Sequence, residues 1–398
     1  MTKPFSGVSI IDFSNVVSGP MAVQILADQG AEVIKVETPG TGDISRGLGA
    51  KRGGISSMFA VLNRNKRSLV LDLKKPEALE VALKLIERAD VMVENFRPGA
   101  MSRIGLDYES VKARNPKLIY TSITGFGSDG PYAKRRVYDP IIQSVSGFAD
   151  AQKISGSTDI DLVKNLVCDK VTSLTTAQAI SAALFGREKT GQGQHLEVSM
   201  LSAGLAFLWP DGMWNETFQG DGVQPMPLLS DIYRVSKTAD GFITYLTVSD
   251  DEWRGMCRAI NHPEMGTDEK YANLPSRLKN INEIVTFLDD ELQKWGTDEL
   301  CERLDAEQVP FAKVNAISEV ANDPQIKHSQ LIVHAKHPHA GAMRYPGPAA
   351  KFSGVTPGTR FEAPMLGEHS EEILAEMGYS GAEIRDFGAR GVFEQFSA

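Results

Sequence analysis

The chain has 398 residues, 42% hydrophobic and 23% charged, which suits two domains or one with a long insertion and excludes a disordered, collagenous or coiled-coil protein. Its 42 basic and 51 acidic residues leave a net charge of −9, which excludes a general nucleic-acid binder, whose affinity comes largely from neutralising phosphates. No stretch approaches the roughly 20 apolar residues of a membrane helix, so no membrane partner is expected.

The first ~200 residues alternate strand and helix signals in the manner of an α/β protein. Val8–Phe13 reads as a strand, Met21–Gln29 as a helix opening after Gly19-Pro20 and closing at Gly30, and Glu32–Glu37 as a second strand. Leu69–Leu73, the helix Glu77–Ala89 and the strand Val91–Val93 repeat the unit, and Leu118–Ile123 adds another strand. Parallel strands joined by helical crossovers are the simplest assembly. Leu166–Arg187 carries apolar residues every three to four positions and reads as a long, mostly buried helix, followed by the strand His195–Met200. From Phe207 to Pro227 the tryptophans, prolines and glycines suggest a linker. A smaller unit follows: a hairpin from Ile232–Ser236 and Gly241–Leu246, then helices Glu252–Ile260, Asn282–Lys294 and Thr297–Glu307. The last ~65 residues read as loop-rich, with a helix at Ser370–Met377.

Several features bear on chemistry. Ile44–Val70 holds six basic residues (Arg46, Lys51, Arg52, Arg64, Lys66, Arg67) and no acidic one. This is either an ordinary solvated face or a cationic patch for a small anionic ligand. Gly125–Gly130 satisfies GxGxxG after a predicted strand, but Pro131-Tyr132-Ala133 and a basic run follow where a dinucleotide site needs a helix. His334, His337 and His339 lie close together, yet Pro338 and the lack of nearby thiols or carboxylates favour a solvated loop over a metal site. Cys168, Cys257 and Cys301 are odd in number and far apart, so neither a disulfide framework nor structural zinc is expected. With an N-terminus that lacks a charged leader and an apolar run, they make the cytoplasm the expected compartment. GxSxG, P-loop and HExxH signatures are missing. Asp169 opens the long helix in the apolar setting LVCDKV. It reads either as a helix cap or as a nucleophile, since a helix N-terminus keeps a carboxylate ionised and its free N–H groups can hold an oxyanion.

Seven segments, taken in order, carry a resemblance: VVSGPMAVQILADQGAEVIKVE, NRNKRSLVLDLKKPE, ENFRPGAMSRIGL, GFGSDGPYA with YDPIIQSVSG, the helix of Asp169, GREKTGQGQHLEVSML and LGEHSEEILAEMGY. From about Phe5 to Val392 the chain resembles the family III CoA-transferases, the CaiB/BaiF family. The resemblance implies a Rossmann-like large α/β domain formed by both chain ends (1–205 and 331–398), a linker at 206–228 and a smaller inserted α+β domain at 229–330. It implies an interlocked homodimer that binds acyl-CoA between the domains, with CoA as substrate and no prosthetic group or metal. It places Asp169 at the family's catalytic aspartate, which attacks the thioester to give an aspartyl–acyl anhydride and then an aspartyl–CoA thioester before a free carboxylic acid collects the CoA. It places Val16, Val17, Lys66, Arg67, Leu71, Arg97, Arg103, Arg136 and Tyr138 at CoA-contact positions. Two positions depart from relatives: Thr38 stands where some carry arginine, and the active-site glycine run is reduced to Gly220-Asp221-Gly222 before Gln224-Pro225.

Two other activities stand beside CoA transfer. The α-methylacyl-CoA racemase branch of the same fold needs an acid–base pair and carries histidine where this chain has Tyr138, with no histidine in the first 194 residues. A non-catalytic acyl-CoA-binding protein would keep the basic residues and need no Asp169.

Overall fold

Most strands of the large sheet are buried almost end to end, because helices cover both its faces. In the computed structural model, which describes residues 2–154 and 157–397, six strands run parallel: β1 (Ser9–Asp12), β2 (Glu32–Glu37), β3 (Lys66–Leu71), β4 (Val91–Glu94), β5 (Ile119–Thr124) and β6 (Gln194–Ser199). Their spatial order is 3-2-1-4-5-6, with the short strand Phe393–Glu394 antiparallel to β3 at one edge. The order reverses between β1 and β4, and the crevice outside the carboxyl ends of such strands is where open α/β sheets bind ligands.

Period-2 alternation divides the core into two layers. Ile10, Val33, Val91, Val93, Ile119 and Ile123 face helices α1 (Ser18–Asp28) and α4 (Val167–Thr190), meeting Ala22, Val23, Leu26, Ile180 and Leu184. Ile11, Leu69, Leu71, Met92 and Tyr120 face the opposite way, onto α2 (Pro76–Arg88) and C-terminal Ile373, Leu374 and Phe393. Each fully buried aliphatic side chain contributes about 1.5–3 kcal/mol, so these layers hold α1 and α4 side by side on one face.

The chain divides into two compact units, one of residues 1–147, 163–207 and 330–398, the other of 148–162 and 208–329. Residues 148–162, read from the sequence as part of the first domain, group with the second unit. That unit has a three-stranded antiparallel sheet (Ser236–Lys237, Phe242–Tyr245, Phe311–Lys313) and a core of Trp253, Met256, Leu288, Leu292, Leu300 and Leu304.

Other departures from the sequence reading are local. Helix α1 begins at Ser18, so Gly19 and Pro20 lie inside its first turn. Proline is tolerated there because first-turn N–H groups have no partner within the helix. A Cβ on Gly19 would fall 2.2 Å from the Ser14 side chain, so only glycine allows this close approach. A helix, Met200–Gly212, runs into the first residues of the segment read as a linker. The segment read as a histidine-bearing loop is a hairpin, Ile332–His337 with Gly341–Pro346. In it His337 is buried, hydrogen-bonded to the Ala363 carbonyl and to the N–H groups of His339 and Ala340. The glycines Gly125–Gly130 form a turn, and the next helix, α3 (Asp139–Ser146), opens well beyond it. Among the described residues no helix is long and apolar enough to cross a membrane, and no group of three His, Cys, Asp or Glu could hold a metal ion.

The basic run at Ile44–Val70 is largely internal. Lys66 is fully buried; its ammonium pairs with Asp12 at 2.8 Å and donates to the Pro20 carbonyl and Asn63 Oδ1, both at 2.9 Å. Burial pulls this ammonium down to about 8, with Asp12 opposing the fall. Lys35, also buried, lies 2.9 Å from Asp43 and 3.8 Å from Asp12. Arg46 clasps Glu37 through two bonds, Arg64 clasps Asp28, and Arg67 pairs with Glu372 and Glu376. The acids come from β1, α1, β2 and the C-terminal helix, all outside the run, so Arg46, Arg64, Lys66 and Arg67 do not form an open cationic patch. Removing one member of a buried pair leaves its partner uncompensated, at about 3–5 kcal/mol. Lys66→Met will lower unfolding stability by that order in denaturant titrations, because Asp12 loses its nearest cation.

Candidate active site

The turn after β1 is the most constrained piece of backbone at the switch point. Val16 has φ +69, a conformation that is an outlier for a β-branched residue and costs roughly 1–3 kcal/mol. It is held on both sides. The Val16 N–H donates to Asp43 Oδ1 at 3.0 Å, and that carboxylate is itself fixed by Lys35 and Ser45. The neighbouring Asn15 N–H donates to Asn95 Oδ1 at 2.8 Å, and the Asn95 amide donates back to the Asn15 carbonyl at 2.7 Å. These reciprocal bonds tie the loop after β1 to the loop after β4. The kink ends at Val17, the N-cap of α1, and leaves Ser18 buried at the first helical position.

Asp169 meets that position. It lies in the first turn of α4 and is 9% exposed, with its carboxylate accepting from the hydroxyl and the backbone N–H of Ser18. It does not cap its own helix: the N-cap of α4 is Leu166, which makes no side-chain cap. Its backbone N–H is taken by Asp139 Oδ2 at 2.9 Å. Burial, then the negative charge of Asp139, push the Asp169 carboxyl up to about 7, against the two Ser18 bonds that pull it down. The sequence reading had a helix terminus keeping this group ionised; burial and Asp139 act in the opposite direction. Cys168 beside it is buried and inert, its thiol pushed up to about 12 by burial and the two aspartates.

The same turn borders a cavity of about 250 Å³ at the carboxyl ends of β1 to β4. Asn15, Glu37, Thr38, Leu71, Lys74 and Phe96 line it, and Ala100, Met101 and Ile104 form its floor. Of the candidate CoA contacts, only Leu71 lines this space. Val16 and Val17 stand in the adjoining turn. Arg97 and Arg103 are exposed on the segment that supplies Phe96 and Met101, and they enter no ion pair among the described residues. Arg136 and Tyr138 are exposed just ahead of α3, outside the cavity lining. Lys66 is committed to the buried Asp12, and Arg67 pairs with the exposed Glu372 and Glu376. Sequence reasoning passed over Asn15, Lys74, Phe96 and Asn95. The signal was position: all four lie within a few residues of the carboxyl end of a parallel strand, Asn95 directly after β4.

The chain was compared with known proteins. Residues 5–370 match the model of CoA-transferase family III. A succinate–glutarate CoA-transferase of Agrobacterium fabrum is 36% identical, covering 94% of this chain and 96% of that one. A succinyl-CoA:glutarate CoA-transferase of Homo sapiens is 33% identical over 99% of this chain and 90% of its own length. A CaiB/BaiF family protein of Brucella suis, known from its crystal structure, superposes with TM-score 0.81 at 30% identity, covering 95% of this chain and all of that one. The protein belongs to CoA-transferase family III.

Proposed function

We propose that the protein moves CoA from an acyl-CoA to a free carboxylic acid, with Asp169 as the covalent nucleophile. The observation that carries this reading is the meeting of a buried carboxylate at the start of α4 with the start of α1, in a turn that also borders a cavity at the switch point. In this reading the CoA nucleotide occupies the cavity, stacked against Phe96. Lys74, Arg97 and Arg103 meet its phosphates at the rim, in place of Lys66 and Arg67, and Arg136 with Tyr138 extends the contact. The thioester then lies over Val16 and Val17.

The ionised Asp169 oxygen attacks the thioester carbonyl, and CoA leaves as thiolate with the carbon–sulfur electron pair, giving a mixed anhydride. The first N–H groups of α1 are available to the oxyanion that forms beside Asp169. The thiolate then attacks the aspartyl carbonyl, releases the donor acid and leaves Asp169 as a CoA thioester. The acceptor carboxylate attacks that thioester, and the thiolate returns to the acceptor's acyl carbon, restoring Asp169. Burial keeps water from the anhydride. We further propose that donor and acceptor are short dicarboxylic acids, as in the succinate–glutarate relatives, that the protein works in the cytoplasm, and that it does so as a homodimer. Exposed Leu174 and Phe185 on α4 and Ile141 and Val145 on α3 supply apolar surface for a second copy.

Incubation with succinyl-CoA will release free thiol and add an adduct to Asp169, seen by intact mass and cleaved by hydroxylamine; Asp169→Asn will lose both. Full-speed exchange in that variant would overturn the reading. Lys74→Ala and Arg103→Ala will each raise the KM for acyl-CoA about fivefold to tenfold with kcat little changed, since they remove contacts made equally before and during reaction.

The carboxyl of Asp169 also makes a stability prediction. The folded chain keeps its proton to about pH 7, whereas the unfolded chain releases it near 3.8, so stability from this group is fully present below pH 3.8 and lost as pH rises towards 7. Asp169→Asn will therefore melt higher than the parent at pH 8, by an amount on the order of 2–4 kcal/mol, and the gap will narrow at pH 5.

A further inference from the structure

Asp139 has no part in the steps above, yet it is the acid nearest the nucleophile. It is the first residue of α3, 1% exposed, and both its oxygens are engaged by neutral donors. Oδ2 accepts the Asp169 N–H at 2.9 Å, and Oδ1 accepts the Gln143 amide at 2.5 Å. Gln143, one turn along α3 and 2% exposed, reaches on to the irregular segment leading into α4. Its amide donates to the carbonyls of Val163 (3.2 Å) and Asn165 (3.1 Å), and its Oε1 accepts the Val163 N–H at 2.9 Å. One carboxylate and one amide therefore set the approach of the chain to the first turn of α4.

We propose that Asp139 is a positioning residue for acyl transfer: together with Gln143 it holds the backbone of Asp169 and keeps a second negative charge beside the nucleophile. This rests on the reading of Asp169 as nucleophile. A helix terminus would satisfy the Asp169 N–H equally well with a serine or asparagine, at no cost in burying charge. A carboxylate there does something those residues cannot. It makes Asp169 a more basic, more reactive oxyanion once ionised, and it opposes the pull of Ser18 and of the two helix termini. Among the described residues, the other groups facing Asp169 carry no countercharge. From α1 it meets Ser18. On its own helix, Cys168 stays a neutral thiol, and the exposed Lys170 turns away to Asn165 Oδ1 at 2.7 Å.

The test is the pH profile of thiol release from succinyl-CoA, read with the mass of the Asp169 adduct, for the parent, Asp139→Asn and Asp139→Glu. Asparagine keeps an acceptor for the Asp169 N–H and removes the charge. Its acid limb should move to lower pH by about one unit, and kcat above pH 8 should fall about tenfold with the KM for acyl-CoA within twofold. Glutamate keeps the charge, so its acid limb should stay at the parental pH while kcat drops. Should Asp139→Asn fail to fold, the glutamate variant decides alone, because a displaced acid limb there overturns the proposal. An acid limb unmoved in a folded Asp139→Asn, with the adduct still formed by the parent, overturns this proposal and leaves the nucleophile standing. Absence of any adduct on the parent overturns the nucleophile assignment, and this proposal with it.

Discussion

The interior ion pairs Lys66–Asp12 and Lys35–Asp43 are what the active-site geometry depends on. Lys66 ties the end of β1 to the first turn of α1 through Asp12 and the Pro20 carbonyl. Lys35 donates to the Ser14 carbonyl at 2.6 Å and holds the Asp43 carboxylate that receives the Val16 N–H. A turn with a β-branched residue at φ +69 does not persist by local preference; it persists because charges that cannot be solvated elsewhere over-determine it. Such buried pairs add little net stability relative to an apolar core, since desolvation offsets most of the attraction. Their effect is to allow one backbone path, and that path puts the beginning of α1 against Asp169.

The site thus uses buried charge in two opposite ways. Behind the turn, each acid has a cation and the result is rigidity. In front of it, Asp169 and Asp139 lie together without one, and burial raises the carboxyl of Asp169 to about 7. The second arrangement is destabilising above neutrality, and the chain tolerates it because the two apolar layers of the large sheet and the matched pairs hold α1 and α4 in place. A carboxylate that binds its proton this tightly is a stronger nucleophile than a solvated one, so the same desolvation that weakens the fold raises reactivity. Placing this group between two helix N-termini limits how far the shift goes.

Some of this was legible in the residues. The alternation of strand and helix signals reported the parallel sheet, because short apolar runs joined by helices that carry an apolar stripe assemble most simply as parallel strands with helical crossovers. Asp169 stood out because a carboxylate in LVCDKV has no solvent to turn to. The ionic roles were not legible. Six basic residues with no acid among them read as a solvated face or a cationic patch, yet the acids that meet four of them, Asp12, Asp28, Glu37 and Glu376, lie outside the run, from 9 to 309 positions away from their partners. Charge pairing across parallel strands leaves no periodic mark. His337 looked solvated for the same reason, since its partner carbonyl at Ala363 belongs to another segment.

What the sequence determined by itself was therefore what short-range physics controls: which segments are strands and helices, which faces are apolar, and which carboxylate opens a buried helix. Its ordered segments also placed it in its family. Only the tertiary structure decided which charges pair with one another and which do not, that Val16 is bent backwards, and that Asp139 stands against Asp169. Those outcomes depend on distances between residues far apart in the chain, and Coulomb and hydrogen-bond energies act through space rather than along sequence.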